Sequence, residues 1–139
     1  MKHENFIVHV VDSDQAIADG LTTLFSTYGI DVLSYPDAEA FLRYWLPRRT
    51  CNCCLITEAD LPGLSGPALL RELRDQHVEI PVLMLVSTLS PELIEVAHSS
   101  NQISVIQKPC LDHTLIDRVL RLRSKGEIEC SNGRGTGTH

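Results

Sequence analysis

Five short apolar runs, each followed by a stretch with helical spacing, set out the plan of the chain. "FIVHVV" at 6–11 is rich in β-branched residues and reads as a buried strand. Ile17, Leu21, Leu24, Phe25 and Tyr28 then recur at helical intervals, and Gly29 closes that helix. "DVLSY" at 31–35 reads as a second strand. Asp37 is placed to cap a helix with Ala40, Phe41, Tyr44 and Trp45 on one face, and Pro47 ends it. "CCLIT" at 53–57 is the third strand, and Pro67 opens a helix leading into Leu69, Leu70 and Leu73. "PVLMLV" at 81–86 is the fourth strand. Ser90, Pro91 and Glu92 supply a cap, a first-turn proline and an acidic first turn for a short helix. "ISVIQ" at 103–107 is the fifth strand, and Leu111, Leu115, Val119 and Leu122 line the last helix.

Strict alternation of strand and helix predicts a parallel sheet with helices on both faces. At this length the expected architecture is α/β, a doubly wound five-stranded parallel sheet of order 2-1-3-4-5. From Ser124 onward the apolar periodicity is lost and glycine becomes frequent. The expected organisation is one domain over residues 1–123, followed by a disordered tail or linker stub over 124–139.

Composition narrows the function. The 139 residues suffice for one domain with a core, and 43% hydrophobic with 22% charged residues is ordinary for a soluble globular protein. A net charge of −6 argues against a nucleic-acid surface, which needs clustered Lys and Arg. No apolar run approaches the ~18–20 residues of a membrane span, and no signal peptide precedes the first strand, so a cytoplasmic location is expected. The five cysteines, Cys51, Cys53, Cys54, Cys110 and Cys130, are odd in number and fit reduced thiols better than a disulfide framework. "CNCC" admits a soft-metal reading but lacks a Cys-x2-Cys pair; the alternative is one loop cysteine and two small strand residues.

The chemistry gathers at strand ends. In doubly wound sheets ligands bind at the carboxyl ends of the strands, near the switch in strand order. There the first strand delivers Asp12, with Asp14 at the start of the next helix. The third strand delivers Glu58, the fourth ends at "VST" (86–88), and the fifth delivers Lys108. Each charge alone is readily a cap or a surface group; three at three strand ends point to one crevice. Two acids and a lysine suit divalent-metal or phosphoryl chemistry. His9, inside the first strand, reads as a packed core histidine, and His113 as a helix-surface residue.

The stretches "VHVVDSDQ", "YPDAEAFL", "CLITEADLPGLSG", "IPVLMLV" and "IQKP" together resemble the receiver domain of two-component response regulators, the CheY-like superfamily, over about residues 6–123. "YPDAEAFL" is similar to regulators that carry a helix-turn-helix output domain. The resemblance implies phosphorelay signal transduction. In it a histidine kinase partner delivers a phosphoryl group to an aspartate with magnesium, and the surface of the fourth strand, fourth helix, fifth strand and fifth helix changes. Position by position the chain departs from that pattern. Glu58 occupies the phosphoacceptor position, and the acidic pair becomes Asp12 and Ser13, with Asp14 near. Val86 stands where a hydroxyl is expected, with Ser87 and Thr88 just beyond, and Val105 stands at the aromatic switch position. Only Lys108, followed by Pro109, matches.

These departures imply an atypical receiver, a pseudo-receiver working through protein contacts. Glu58, one methylene longer than aspartate, would reach toward the phosphoryl space and pair with Lys108. It is a partial mimic, with one charge against the ~1.5 to 2 of a phosphoryl group. Magnesium, through Asp12 and Glu58, is expected to bind weakly at most. A weak homodimer through the last two helices and the fifth strand is expected, with Arg118, Arg121 and Arg123 facing Glu92 and Glu95. A DNA-binding output domain would belong to a longer protein. Two alternatives stand beside this. One is a receiver phosphorylated at Asp60. The other is a metal-dependent phosphohydrolase of haloacid-dehalogenase type, with Asp12 as nucleophile, Asp14 as general acid, and Ser87 and Lys108 holding phosphate.

Overall fold

A computed structural model describes residues 6–45, 52–108 and 113–136. The strands are β1 (Ile7–Val11), β2 (Asp31–Tyr35), β3 (Cys53–Glu58), β4 (Val82–Val86) and β5 (Ile103–Gln107). The helices between and after them are α1 (Gln15–Ser26), α2 (Ala38–Trp45), α3 (Gly66–Asp75), α4 (Pro91–His98) and α5 (His113–Thr136). All pairings are parallel, and the sheet order is β2-β1-β3-β4-β5, the doubly wound arrangement expected.

Period-two alternation divides the core in two. Val8 and Val10 of β1, Cys54 and Ile56 of β3, and Leu83 and Leu85 of β4 face α1 and α5, where Leu21, Phe25, Leu115 and Val119 cover them. Val11, Cys53, Leu55, Val82 and Met84 point the other way, against Phe41 of α2 and Leu69 and Leu73 of α3. Central strands buried on both faces explain why β3 and β4 read as unbroken apolar runs. α4 is held only loosely. It has no fully buried residue and reaches the core only through half-buried Leu93 and Val96.

Local chemistry sets the helix ends. The Asp14 carboxylate accepts from Ala16 N at 3.0 Å, and Ser65 and Ser90 cap α3 and α4 through Ala68 N and Leu93 N. Asp37 Oδ1 accepts from Ala40 N at 2.8 Å, as a cap should. Pro47, Cys51, Pro109 and Leu111 lie outside the described residues. The last helix differs from expectation. α5 continues to Thr136, past residue 123, instead of giving way to an irregular tail. Extending a helix that its first turns have already nucleated adds one hydrogen bond per residue fixed, so loss of the apolar stripe need not end it.

Candidate functional site

The crevice lies at the carboxyl ends of the paired strands β1 and β3, whose following helices α1 and α3 pack on opposite faces of the sheet. Register sets Val11 beside Thr57 and Glu58 beside Leu85, so residues 12 and 58 emerge together above the sheet. β5 ends one residue before Lys108, whose backbone N donates to Val86 O at 2.8 Å. The lysine is thereby aimed back over β4 toward β3. Its Nζ lies 2.6 Å from Glu58 Oε2, with both side chains about four-fifths buried, 21% and 18% exposed. The ion pair expected from the strand-end positions is therefore present.

Asp12 is buried beneath this pair. Its Oδ1 accepts from Asp14 N at 2.8 Å. Burial pushes its carboxyl above the usual carboxylate range. The Asp14 amide opposes that, the Glu58 carboxylate adds to it, and Lys108 opposes it more weakly. Two acids and one lysine thus share a small space with a surplus of negative charge.

The other expected positions are distributed less compactly. Asp14 is exposed, and its carboxylate is engaged as the α1 cap, which gives no support to a general-acid role. Val86 is buried in the core, whereas Ser87 and Thr88 are exposed beyond the strand. Val105 is half-buried and packs on the core below α4. Asp60 is exposed in the turn, two residues past the strand end. His9 is a core residue, with Nδ1 2.9 Å from the Tyr35 hydroxyl, and burial lowers its pKa to about 4.

Three contributors escaped the sequence reading. Gly66 N donates to Ala59 O at 3.0 Å, and a Cβ on Gly66 would fall 2.6 Å from the Glu58 carbonyl oxygen and 2.9 Å from Ala59 Cα. Only glycine lets α3 dock this closely on the end of β3. Glu39 Oε2 accepts from Leu64 N at 3.3 Å, tying α2 to the loop after Glu58; Gly63, at φ +74°, makes that turn. Gln107 Nε2 donates to Ser87 O at 3.3 Å and ties the start of the β4–α4 loop to β5, next to the Lys108 amide bond to the end of β4. The one available signal was a glycine wedged between a capping serine and a helix-opening proline in "SGP".

Magnesium requires oxygen ligands in near-octahedral geometry. Here Asp12 Oδ1 accepts an amide, Glu58 Oε2 is engaged by Lys108, and exposed Ser13 supplies no carboxylate. Among the described residues no three His, Cys, Asp or Glu side chains are grouped to hold a metal ion. Asp12 and Glu58 are the residues that would hold the ion, each with one carboxylate oxygen already engaged, a sparse donor set for it. Cys53 and Cys54 are buried on opposite faces of the sheet; burial pushes the Cys53 thiol up to about 12 and that of Cys54 higher. Thiols held protonated are poor metal ligands.

A doubly wound sheet with acids and one lysine at the switch in strand order defines the class, and comparison with known proteins supplies the family. The chain belongs to the response regulator receiver domain family, whose model matches residues 8–120. It is 30% identical over 114 residues to nodulation protein W of Bradyrhizobium diazoefficiens, covering 82% of this chain and 49% of that protein. It is 28% identical over 117 residues to the transcriptional regulatory protein FixJ of Rhizobium meliloti, covering 84% of this chain and 56% of that one. The C4-dicarboxylate transport transcriptional regulatory protein DctR of Rhodobacter capsulatus is 30% identical over 118 residues, with 84% and 59% covered. The crystal structure of FixJ-N superposes with a TM-score of 0.74 at 27% identity, covering 88% of this chain and 96% of that one. The chain spans about half the length of the curated relatives it matches. Among the described residues no helix is long and apolar enough to cross a membrane.

Proposed function

We propose that this receiver domain does not cycle through phosphorylation but is held in one state by Glu58, and signals through protein contacts. The observation that carries this is the 2.6 Å contact of Lys108 Nζ with Glu58 Oε2. In a phosphorylated receiver the lysine would hold a phosphoryl oxygen; here the acceptor-position side chain itself supplies the oxygen. A carboxylate bonded to a lysine, beside an acid short of positive charge, is a poor nucleophile and a poor magnesium ligand. Val86 offers no hydroxyl to report a change, and the start of the β4–α4 loop is instead tied to β5 by Gln107.

The protein contacts are assigned to α4, β5 and α5. Leu89 and Ile94 are exposed there, 47% and 46%, beside Glu92 and Glu95. A histidine kinase or another signalling protein, or a second copy forming a weak dimer, would use this face. Of the three arginines expected to oppose the glutamates, Arg123 is turned away: its Nη1 donates to Tyr28 O at 3.3 Å, at the far end of α1. Any charge pairing on this face thus falls to Arg118 and Arg121. Relatives named as transcriptional regulators motivate a DNA-binding output in a longer protein.

Incubation with acetyl phosphate and magnesium, followed by intact mass, tests the reading. No added phosphate mass is expected. A phosphate adduct lost in Glu58→Gln would overturn it, and one lost only in Asp60→Asn would move the acceptor to the turn.

A further inference from the structure

At the end of the sheet opposite the Glu58 crevice, where β4 and β5 begin, a cleft of about 500 Å3 opens between the end of α3 and the 99–103 segment. A second hollow of about 350 Å3 lies between α3 and α4 and shares Leu70, Arg74, Ser99 and Ile103 with the first. The two are one groove, crossed by a strap: Arg74 Nη2 donates to Ser99 Oγ at 3.1 Å. The volume lies in the range of small-molecule sites. Its floor is apolar, with Leu73, Val78 and Ile80 buried and Ile103 half-buried.

The rim carries both signs: Arg74 and Glu79 line the cleft, and Arg71 and Glu95 its extension. Arg74 is exposed, and among the described contacts its guanidinium, with five donors, commits one nitrogen to Ser99. His77 stands beside it at φ +60°, the only non-glycine residue with positive φ among those described. That position follows α3, where its N–H donates to Arg74 O at 2.9 Å, and glycine is the usual occupant. The chain places an imidazole at the cleft mouth despite the conformational cost. Glu79 also lines the cleft, and Glu95 lines its extension, so a ligand with a second negative charge would be opposed.

We propose that this α3–α4 cleft binds a small organic monocarboxylate with an apolar body. The carboxylate takes the guanidinium of Arg74 in place of Ser99, a pairing the planar fork favours geometrically. The apolar body lies on the floor between Leu73 and Ile103. Because α4 has no fully buried residue, a molecule wedged beside it bears on an element with little anchoring in the core. The site is separate from the Glu58 crevice and does not depend on how that crevice functions.

Titration of the 15N-labelled chain with octanoate, octanamide and inorganic phosphate, followed by amide resonances, tests it. Octanoate is expected to shift the amides of Arg74, His77 and residues 99–103 saturably. Arg74→Gln, a change at an exposed position, should weaken binding by about tenfold or more, the loss of one charged hydrogen-bonded pairing. Octanamide and phosphate should bind much more weakly. Absence of saturable shifts at millimolar octanoate would overturn the proposal, as would undiminished affinity in Arg74→Gln. An equal response to octanamide would mean apolar adsorption alone, and an equal response to phosphate an adventitious ion only; either result rejects the site.

Discussion

Lys108 Nζ and Glu58 Oε2 meet at 2.6 Å across fifty positions of sequence, and neither side chain is more than about a fifth exposed. Removing one partner leaves the other charge partly buried. Glu58→Gln and Lys108→Met should each cost on the order of 1–2 kcal/mol, while the double variant should recover much of that. Water still reaches the pair, so the coupling should be about 1 kcal/mol, well below that of a fully buried pair. Denaturant melts of the four proteins close the cycle. Strictly additive losses would show that the two charges do not support one another.

Gly66 governs how Glu58 is presented. The atoms a Cβ would meet, the Glu58 carbonyl oxygen at 2.6 Å and Ala59 Cα at 2.9 Å, are backbone and cannot rotate aside. Gly66→Ala must push α3 away from the end of β3, at about 2–3 kcal/mol by comparison with overpacked cores. The crevice should be disturbed with it, seen as shifts of the Glu58 and Lys108 amides. An alanine variant as stable as the parent would mean that α3 is free to move outward.

The contrast between these two sites shows what a linear reading reaches. Asp12, Glu58 and Lys108 were legible because each follows an apolar run, and parallel strands bring such ends to one edge. The sheet order was legible from alternation and length. Gly66, Glu39 and Gln107 were not, because their roles depend on how closely separate elements approach, which no periodicity encodes. Arg123 shares the last helix with Arg118 and Arg121, yet it reaches back to Tyr28. The end of α5 differs for a related reason: the apolar stripe in the sequence ends near residue 123, while a helix already nucleated continues to Thr136.

His9 makes the fold acid-sensitive. It is 2% exposed, and burial lowers its pKa from 6.5 to about 4. Between those values the unfolded chain binds the proton and the folded chain resists it. Stability therefore rises with pH through that window and falls as pH drops from 6.5 toward 4. The full effect is bounded at about 3 kcal/mol. Urea melts at about pH 7 and about pH 5 should show the loss, and the pair His9→Leu with Tyr35→Phe, which removes both hydrogen-bonding partners, should flatten it. An equally steep dependence in that double variant would place the acid sensitivity elsewhere.

Asp12 carries the opposite sign and gives the last prediction. Burial, then the neighbouring Glu58 carboxylate, raise its pKa, with the Asp14 amide and Lys108 pulling the other way. A carboxyl that prefers its proton when folded makes the folded state costlier as pH rises above the unfolded value of 3.8. At neutral pH the charge on Asp12 therefore works against the fold. Asp12→Asn keeps the oxygen that accepts from Asp14 N, removes the charge, and offers an amide donor to Glu58. It should stabilise the protein by on the order of 1 kcal/mol at neutral pH, because it removes a charge that burial penalises. The gain should shrink as the solution is acidified, because the parent then carries its proton too. His9 titrates alike in both proteins and cancels from the difference. Paired urea melts at two pH values measure it. An asparagine variant less stable than the parent at neutral pH would mean that the Asp12 charge is held by Lys108 after all, and that the crevice is electrostatically balanced by its three side chains.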